Sequence, residues 1–271
     1  MAIVLSSARY RYAGSSSASL GPIDLTLERG RVLGVAGPNE SGKTTLCLVA
    51  SGLAPGVTGG KLDGGAAVDG AETATLRPYE LAQRCGVLFQ HAQTQLSQTT
   101  STVFEEVAFG PCNLGLLVAE IADRVWQALR AVGIEELAPR DPGRLSGGQS
   151  QLVALAGVLA LRPKYLILDE PTSELDPAGT ALVAAAIVHA AREFRAGVLL
   201  VEHKTEVLAA VADEMVVLDR GLVALRGPAA EVLGDPRLAE LGVEAPARTR
   251  LERRLRTAGL EWTAALQEAL R

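Results

Sequence analysis

Aromatic residues are scarce in this sequence, at 4% of 271 residues, so any core must be built from aliphatic side chains. Cysteine occurs three times, at Cys47, Cys85 and Cys112, with no CxxC pair. That number and spacing argue against a disulfide scaffold or a cysteine-ligated metal, and read as buried free thiols in a reducing compartment. No run of about 18 uninterrupted apolar residues occurs, so no segment reads as a membrane-spanning helix. The start "MAIVLSSARYRYAG" lacks the charged opening and long apolar centre of a signal peptide. Positive charge is in deficit too: 26 Lys and Arg stand against 31 Asp and Glu, a net −5. That balance disfavours binding nucleic acid by broad phosphate neutralisation. These absences together describe a cytosolic protein.

What remains is ordinary for a globular chain with a real core, with 48% hydrophobic and 21% charged residues. The length suits one large domain, or one domain with a small appendage. "IDLTLERG", from Ile23 to Gly30, alternates apolar and polar residues and reads as a strand entering a turn. "RVLGVAG" reads as a short buried strand, and "KTTLCLVASGL" as a helix closed by Gly52 and Pro55. Glycine-rich turns are expected over Gly56 to Gly70, then a further buried strand, "CGVLFQ". From about Ala92 to Leu145 the spacing becomes helical; Ile121, Val125, Ala128, Leu129 and Val132 share one face. A mainly helical insertion between two halves of an α/β core is expected there. Strand alternation resumes in "YLILDEP" and "GVLLVEH", and "EMVVLDRGLVALRG" predicts a hairpin turning at Asp219-Arg220-Gly221. Beyond Pro236 the composition shifts to Arg and Glu, with Leu251, Leu255, Trp262 and Leu266 at helical spacing.

Three motifs carry chemistry. Gly37-Pro38-Asn39-Glu40-Ser41-Gly42-Lys43-Thr44 satisfies G-x-x-x-x-G-K-[ST] between a strand and a helix, and Thr45 follows it. Successive backbone N–H groups of such a loop wrap phosphates, and the helix N-terminus adds partial positive charge. Lys43 is placed to reach the β- and γ-phosphates, and the Thr44 hydroxyl to ligate Mg²⁺. Asp169 and Glu170 end a buried strand, where open α/β sheets bind ligands. Asp169 suits a Mg²⁺ contact and Glu170 a general base for an attacking water. "LSGGQ", from Leu145 to Gln149, opens a helix with a serine and two glycines, an anion-binding end.

In this order the motifs resemble the ATP-binding cassette (ABC) family, from about residue 3 to 235. The resemblance implies an α/β fold: a P-loop NTPase cassette with a RecA-like core, an N-terminal antiparallel β subdomain and a helical insertion over about residues 92–162. Residues 1–235 would form the ATPase domain and 236–271 a short helical tail. Two such cassettes pack head to tail, so Ser146, Gly147, Gly148 and Gln149 would serve the partner's ATP. Tyr12, rather than Tyr10, would stack on adenine. Gln90 would sense Mg²⁺ and the water, His203 would contact the γ-phosphate, and Asp176 would form the loop between the two sites.

Within the family, "RYRYAGS", "QTQLSQTTSTVFEEVAFGPCNLGL" and "LSGGQSQLVALAGVLALRPKYLILDEPTSELDP" are most similar to the ATPases of energy-coupling-factor transporters, which take up vitamins or cobalt and nickel ions. The resemblance implies ATP and Mg²⁺ as cofactors. It implies three partners, namely a second cassette, identical or related, a transmembrane scaffold and a substrate-binding membrane subunit, with no nucleic acid. It places the chain on the inner face of the cell membrane as a peripheral, cytoplasmic subunit. The tail stripe would help two ATPases dimerise, or would pack as a plain core helix. The alternatives are a soluble cassette ATPase working on ribosomes or DNA, and a regulatory subunit with little catalysis.

The sequence departs from the family pattern at several positions. Glu40 stands where most cassettes have Gly, Glu174 replaces a small residue, and Ser150 and Leu152 replace basic ones. The His91-Ala92-Gln93-Thr94 segment also lacks the usual acids. A Glu at position 40 disfavours ATP only where its side chain points inward, and strains the loop by about 1 kcal/mol where the backbone needs positive φ.

Overall fold

The computed structural model describes residues 1–258, in two sheets and the helices packed on them. Strand β1 (Ala2–Arg11) pairs antiparallel with β2 (Leu20–Glu28). Next come β3 (Val32–Ala36), β4 (Lys61–Val68), β5 (Ala71–Glu72) and β6 (Cys85–Leu88). The later strands are β7 (Tyr165–Asp169), β8 (Gly197–Val201), β9 (Glu214–Asp219) and β10 (Leu222–Pro228). One sheet runs β2-β1-β4-β5 and the other β10-β9-β3-β8-β7-β6. The second is parallel except for β10.

Burial follows the two roles. From Ile23 onward every second side chain of β2 faces the core, as a half-covered antiparallel strand requires, whereas β3, β7 and β8 are buried at every position. Helix α1 (Lys43–Ala50) packs between the sheets, and its Leu46, Cys47, Val49 and Ala50 join one core with Ile3, Leu5 and Leu27. A second core covers the other face of the parallel sheet. There α2 (Val103–Asn113), α3 (Val118–Ala131), α4 (Gly147–Ala160) and α5 (Pro177–Arg192) meet it.

The helical face expected in the middle of the chain is buried throughout, from Ile121 to Val132. The β9–β10 hairpin turns on Arg220 and Gly221, both at positive φ, the geometry of a tight two-residue turn. Two expectations need correction. The stretch Gly56 to Gly70 is not all turn, because Lys61–Val68 forms β4 against β1. Pairing with an existing edge outweighs the weak strand preference of its two glycines. Nor are the three thiols alike: Cys47 and Cys85 are buried, but Cys112 is exposed. Burial raises both buried thiols, Cys85 to about 12, which leaves them unreactive. Of the tail stripe, Leu251 and Leu255 lie half-buried within the helix Ala247–Thr257, while Trp262 and Leu266 fall outside the described residues.

Candidate active site

The loop between β3 and α1 is shaped by its backbone. Gly37, Glu40 and Gly42 all have positive φ, at 154°, 63° and 100°. A Cβ at Gly42 would stand 2.7 Å from the Ser19 carbonyl oxygen, and one at Gly37 would run into the Leu218 carbonyl. Only glycine lets the loop lie this close to its neighbours. Lys43 is buried and donates to the carbonyls of Gly37 (3.0 Å) and Pro38 (2.8 Å). Burial lowers its pKa, and Glu170 and Asp169 pull the other way. The loop forms one wall of a cleft of about 500 Å³, whose lining also includes Tyr12, Ser19, Gln90 and Glu170. Glu40 is exposed, yet it lines this cleft.

Parallel register assembles the opposite wall. Leu88 pairs with Leu168, and Asp169 with Val201, so β6, β7 and β8 finish at the same edge. Gln90, Glu170 and His203 follow those ends by one or two residues and therefore converge. Gln90 Nε2 donates to Glu170 Oε2 at 2.9 Å, and His203 Nε2 lies 3.0 Å from Glu170 Oε1. Glu170 itself has φ 53°, a left-handed conformation unfavourable for a side chain of its size. Asp169 is 2% exposed, and its Oδ1 has no hydrogen-bond partner. Burial raises its pKa, the Thr44 hydroxyl and Lys43 lower it, and the neighbouring Glu170 charge raises it further.

Of the two candidate tyrosines, Tyr12 lines the cleft and reaches Thr45 Oγ1 at 3.2 Å. Tyr10 is fully buried, donates to the Gly59 carbonyl at 2.6 Å, and supports the Tyr12 ring edge-on at 4.9 Å. The signature residues lie apart from this cleft. Ser146 caps α4, its hydroxyl accepting from Gln149 N while Gln149 Oε1 accepts from Ser146 N. Neither Ser146, Gly147, Gly148, Gln149 nor Asp176 lines the cleft, and Asp176 caps α5 through Gly179 N at 2.7 Å.

Two residues of this region have no role assigned from the sequence alone. Glu202, buried, accepts from Thr172 N (3.0 Å) and Thr172 Oγ1 (2.7 Å). Lys204 Nζ donates to the carbonyls of Thr172 and Leu175 and to Thr180 Oγ1, at 2.8 to 3.1 Å. Together they stitch the loop after β8 to the loop after β7. The only sequence signal is an acid and a lysine flanking His203.

A glycine-rich loop facing a strand-end acid pair across a cleft at the carboxyl edge of a parallel sheet defines a nucleotide-binding α/β protein. The ABC transporter family model matches residues 20–173. A putative ABC transporter ATP-binding protein of Pyrococcus abyssi is 38% identical over 95% of this chain and 91% of its own length. The energy-coupling factor transporter ATP-binding protein EcfA1 of Symbiobacterium thermophilum is 40% identical over 89% of this chain and 82% of its own. Among solved structures, cbiO1 from Clostridium perfringens, described as part of the ABC transporter complex cbiONQ, aligns with a TM-score of 0.77. That alignment has 29% identity and covers 95% of this chain and 96% of cbiO1. The chain belongs to the ABC transporter family and is an ATPase of that family, with energy-coupling-factor transporter ATP-binding proteins among its homologues.

Proposed function

We propose that this chain hydrolyses ATP in a site completed by a second, head-to-tail cassette, and so drives uptake of a vitamin or a transition-metal ion through a membrane partner. The observation that carries the reading is the carboxylate of Glu170, held by Gln90 on one oxygen and His203 on the other, across the cleft from the phosphate loop. Two contacts fix the orientation of a general base, which is what in-line attack by water needs. Lys43 exchanges its two loop carbonyls for the β- and γ-phosphates, with the backbone of residues 37–45 around them. Tyr12 stacks on adenine.

Mg²⁺ fits the residues present. Asp169 offers a buried carboxylate oxygen with no partner and Thr44 an exposed hydroxyl, with Gln90 opposite. No cluster of three His, Cys, Asp or Glu suited to a metal occurs among the described residues, which suits an ion that keeps waters and phosphate oxygens as ligands. When bound, the ion would neutralise charge on the β- and γ-oxygens.

The signature residues 146–149 meet the partner's nucleotide in this reading, since they stand away from their own cleft, and Asp176 forms the loop between the two sites. Residues 1–235 form the cassette, with an insertion over about 92–162, and 236–271 form the tail. No helix among the described residues is long and apolar enough to cross a membrane, and in this reading transport runs through a separate membrane protein. Binding to such a scaffold would hold the chain on the inner face of the membrane.

Two measurements test the proposal. Glu170→Gln is expected to lower ATP turnover by roughly 10²- to 10⁴-fold while nucleotide binding persists, and undiminished turnover would remove Glu170 from its role. Affinity purification of the tagged chain from detergent-solubilised native membranes should bring down a multispanning scaffold, a small membrane protein and a second cassette. Recovery of only soluble or ribosomal proteins would instead favour an ATPase not coupled to transport.

A further inference from the structure

Glu174 is the acid that replaces a small residue ahead of Leu175-Asp176, and its carboxylate lies on the signature turn. A Cβ added at Gly147 would run into Glu174 Oε2, and would stand 3.3 Å from Gln93 Nε2. A Cβ at Gly148 would stand 3.2 Å from the Glu174 carbonyl oxygen and 3.3 Å from Leu175 Cδ2. The loop carrying Glu174 therefore covers the glycines that open α4. That loop is itself held, because Lys204 grips the carbonyls of Thr172 and Leu175 on either side.

The charge matters because of what Gly147 and Gly148 present. They are the first residues of a fourteen-residue helix, whose leading N–H groups have no partner within the helix and carry partial positive charge. Ser146 and Gln149 spend their side chains on capping each other. An anion placed at this turn is stabilised, and Glu174 is such an anion, supplied by the chain itself.

We propose that Glu174 is an internal competitor for the signature turn, which weakens ATP-driven closure of two cassettes by opposing the incoming phosphate of the partner's nucleotide. The inference rests on the head-to-tail reading of the site. A carboxylate beside the turn neutralises part of the helix end at rest and repels phosphate on approach. The signature half contributed by this chain is therefore the weaker half of a composite site. Where the second cassette carries a small residue at the matching position, the two sites of the pair differ in affinity.

The test uses the full chain with Glu170→Gln, expected to bind ATP while turning it over only slowly, together with its own copy or the second cassette that purifies with it. Sedimentation velocity in Mg-ATP gives the association constant for this trap and for the trap carrying Glu174→Ala or Glu174→Gln. Both variants are expected to associate roughly tenfold more tightly, with the gain shrinking as salt rises from low to high ionic strength. Binding of ATP to the dilute monomer should not change, since Glu174 does not line its own cleft. Unchanged association in both variants overturns the proposal. A gain with Ala but not Gln also overturns it, because bulk and not charge would then be the obstacle. Absence of ATP-dependent association in every chain, the parent trap included, would instead sink the head-to-tail reading and take the proposal with it.

Discussion

Glu40 holds its backbone at φ 63°, a conformation that suits glycine and strains a side chain with a Cβ by about 1 kcal/mol. The strain sits in the loop proposed to wrap phosphate, and the carboxylate lines the same cleft. Replacing it with glycine relieves the strain but also frees the unfolded chain, and these effects nearly cancel in stability. They do not cancel in binding, where removing a negative charge from a phosphate cleft acts in one direction. Glu40→Gly is therefore expected to tighten Mg-ATP by several-fold with little change in melting temperature, as read by calorimetric titration and thermal unfolding. Equal affinity in the two proteins would show that the carboxylate points away from the phosphates. Glu40→Gln separates the contributions, since it removes the charge and keeps the positive φ.

At the scale of loops and helices, the site is made by strands ending together, and the loops that follow them are tied by Lys204. Its ammonium satisfies two carbonyls and a hydroxyl, and Glu202 satisfies the amide and hydroxyl of Thr172. Removing one partner leaves buried acceptors without donors, at about 1–3 kcal/mol. Lys204→Met is expected to lower turnover roughly tenfold while the KM for ATP changes little, because the phosphate loop is untouched. Lys204→Arg should recover part of the loss. A rise in KM with unchanged kcat would place Lys204 in nucleotide binding instead.

The same elements show what a linear reading can and cannot reach. Gln90, Asp169, Glu170 and His203 are legible because each follows a short apolar run, and parallel pairing aligns those runs. The phosphate loop is legible because its residues are contiguous. Glu202 and Lys204 are not, since their partners lie about thirty positions away and neither has a periodic signal. Strand β4 escapes for a different reason. Its glycines argue for turns, and only pairing with β1, fifty or more positions earlier, makes it a strand. The seating of Glu174 on Gly147 depends on how one loop drapes over another helix, which spacing does not encode.

Across the whole molecule, the two sheets must keep a fixed relation, because Tyr12 follows one and the phosphate loop follows the other. Asp69, just past β4 at φ 52°, supplies a bond between them. Its Oδ2 pairs with Lys164 Nζ at 2.9 Å, and its Oδ1 accepts from Tyr165 OH at 2.6 Å, at the start of β7. Burial pushes the Asp69 carboxyl up, but the hydrogen bonds from Lys164 and Tyr165 outweigh it and hold the group below its ordinary value. Burial and the same bond raise the Tyr165 phenol. A carboxyl depressed in the folded state stabilises the fold above its unfolded pKa, near 4, and that stability is lost as pH falls through the folded value. Asp69→Asn keeps the shape and tolerates positive φ, so it isolates the charge. The variant is expected to be less stable by about 1–2 kcal/mol at pH 7, with the gap closing below about pH 4. Chemical denaturation of both proteins across that range measures it. A gap that stays constant with pH would mean that packing, and not the carboxylate, joins the layers. If the layers are joined as described, the same variant should also weaken Mg-ATP binding slightly at neutral pH, because Tyr12 is carried by one sheet and Thr45 by the helix that follows the other.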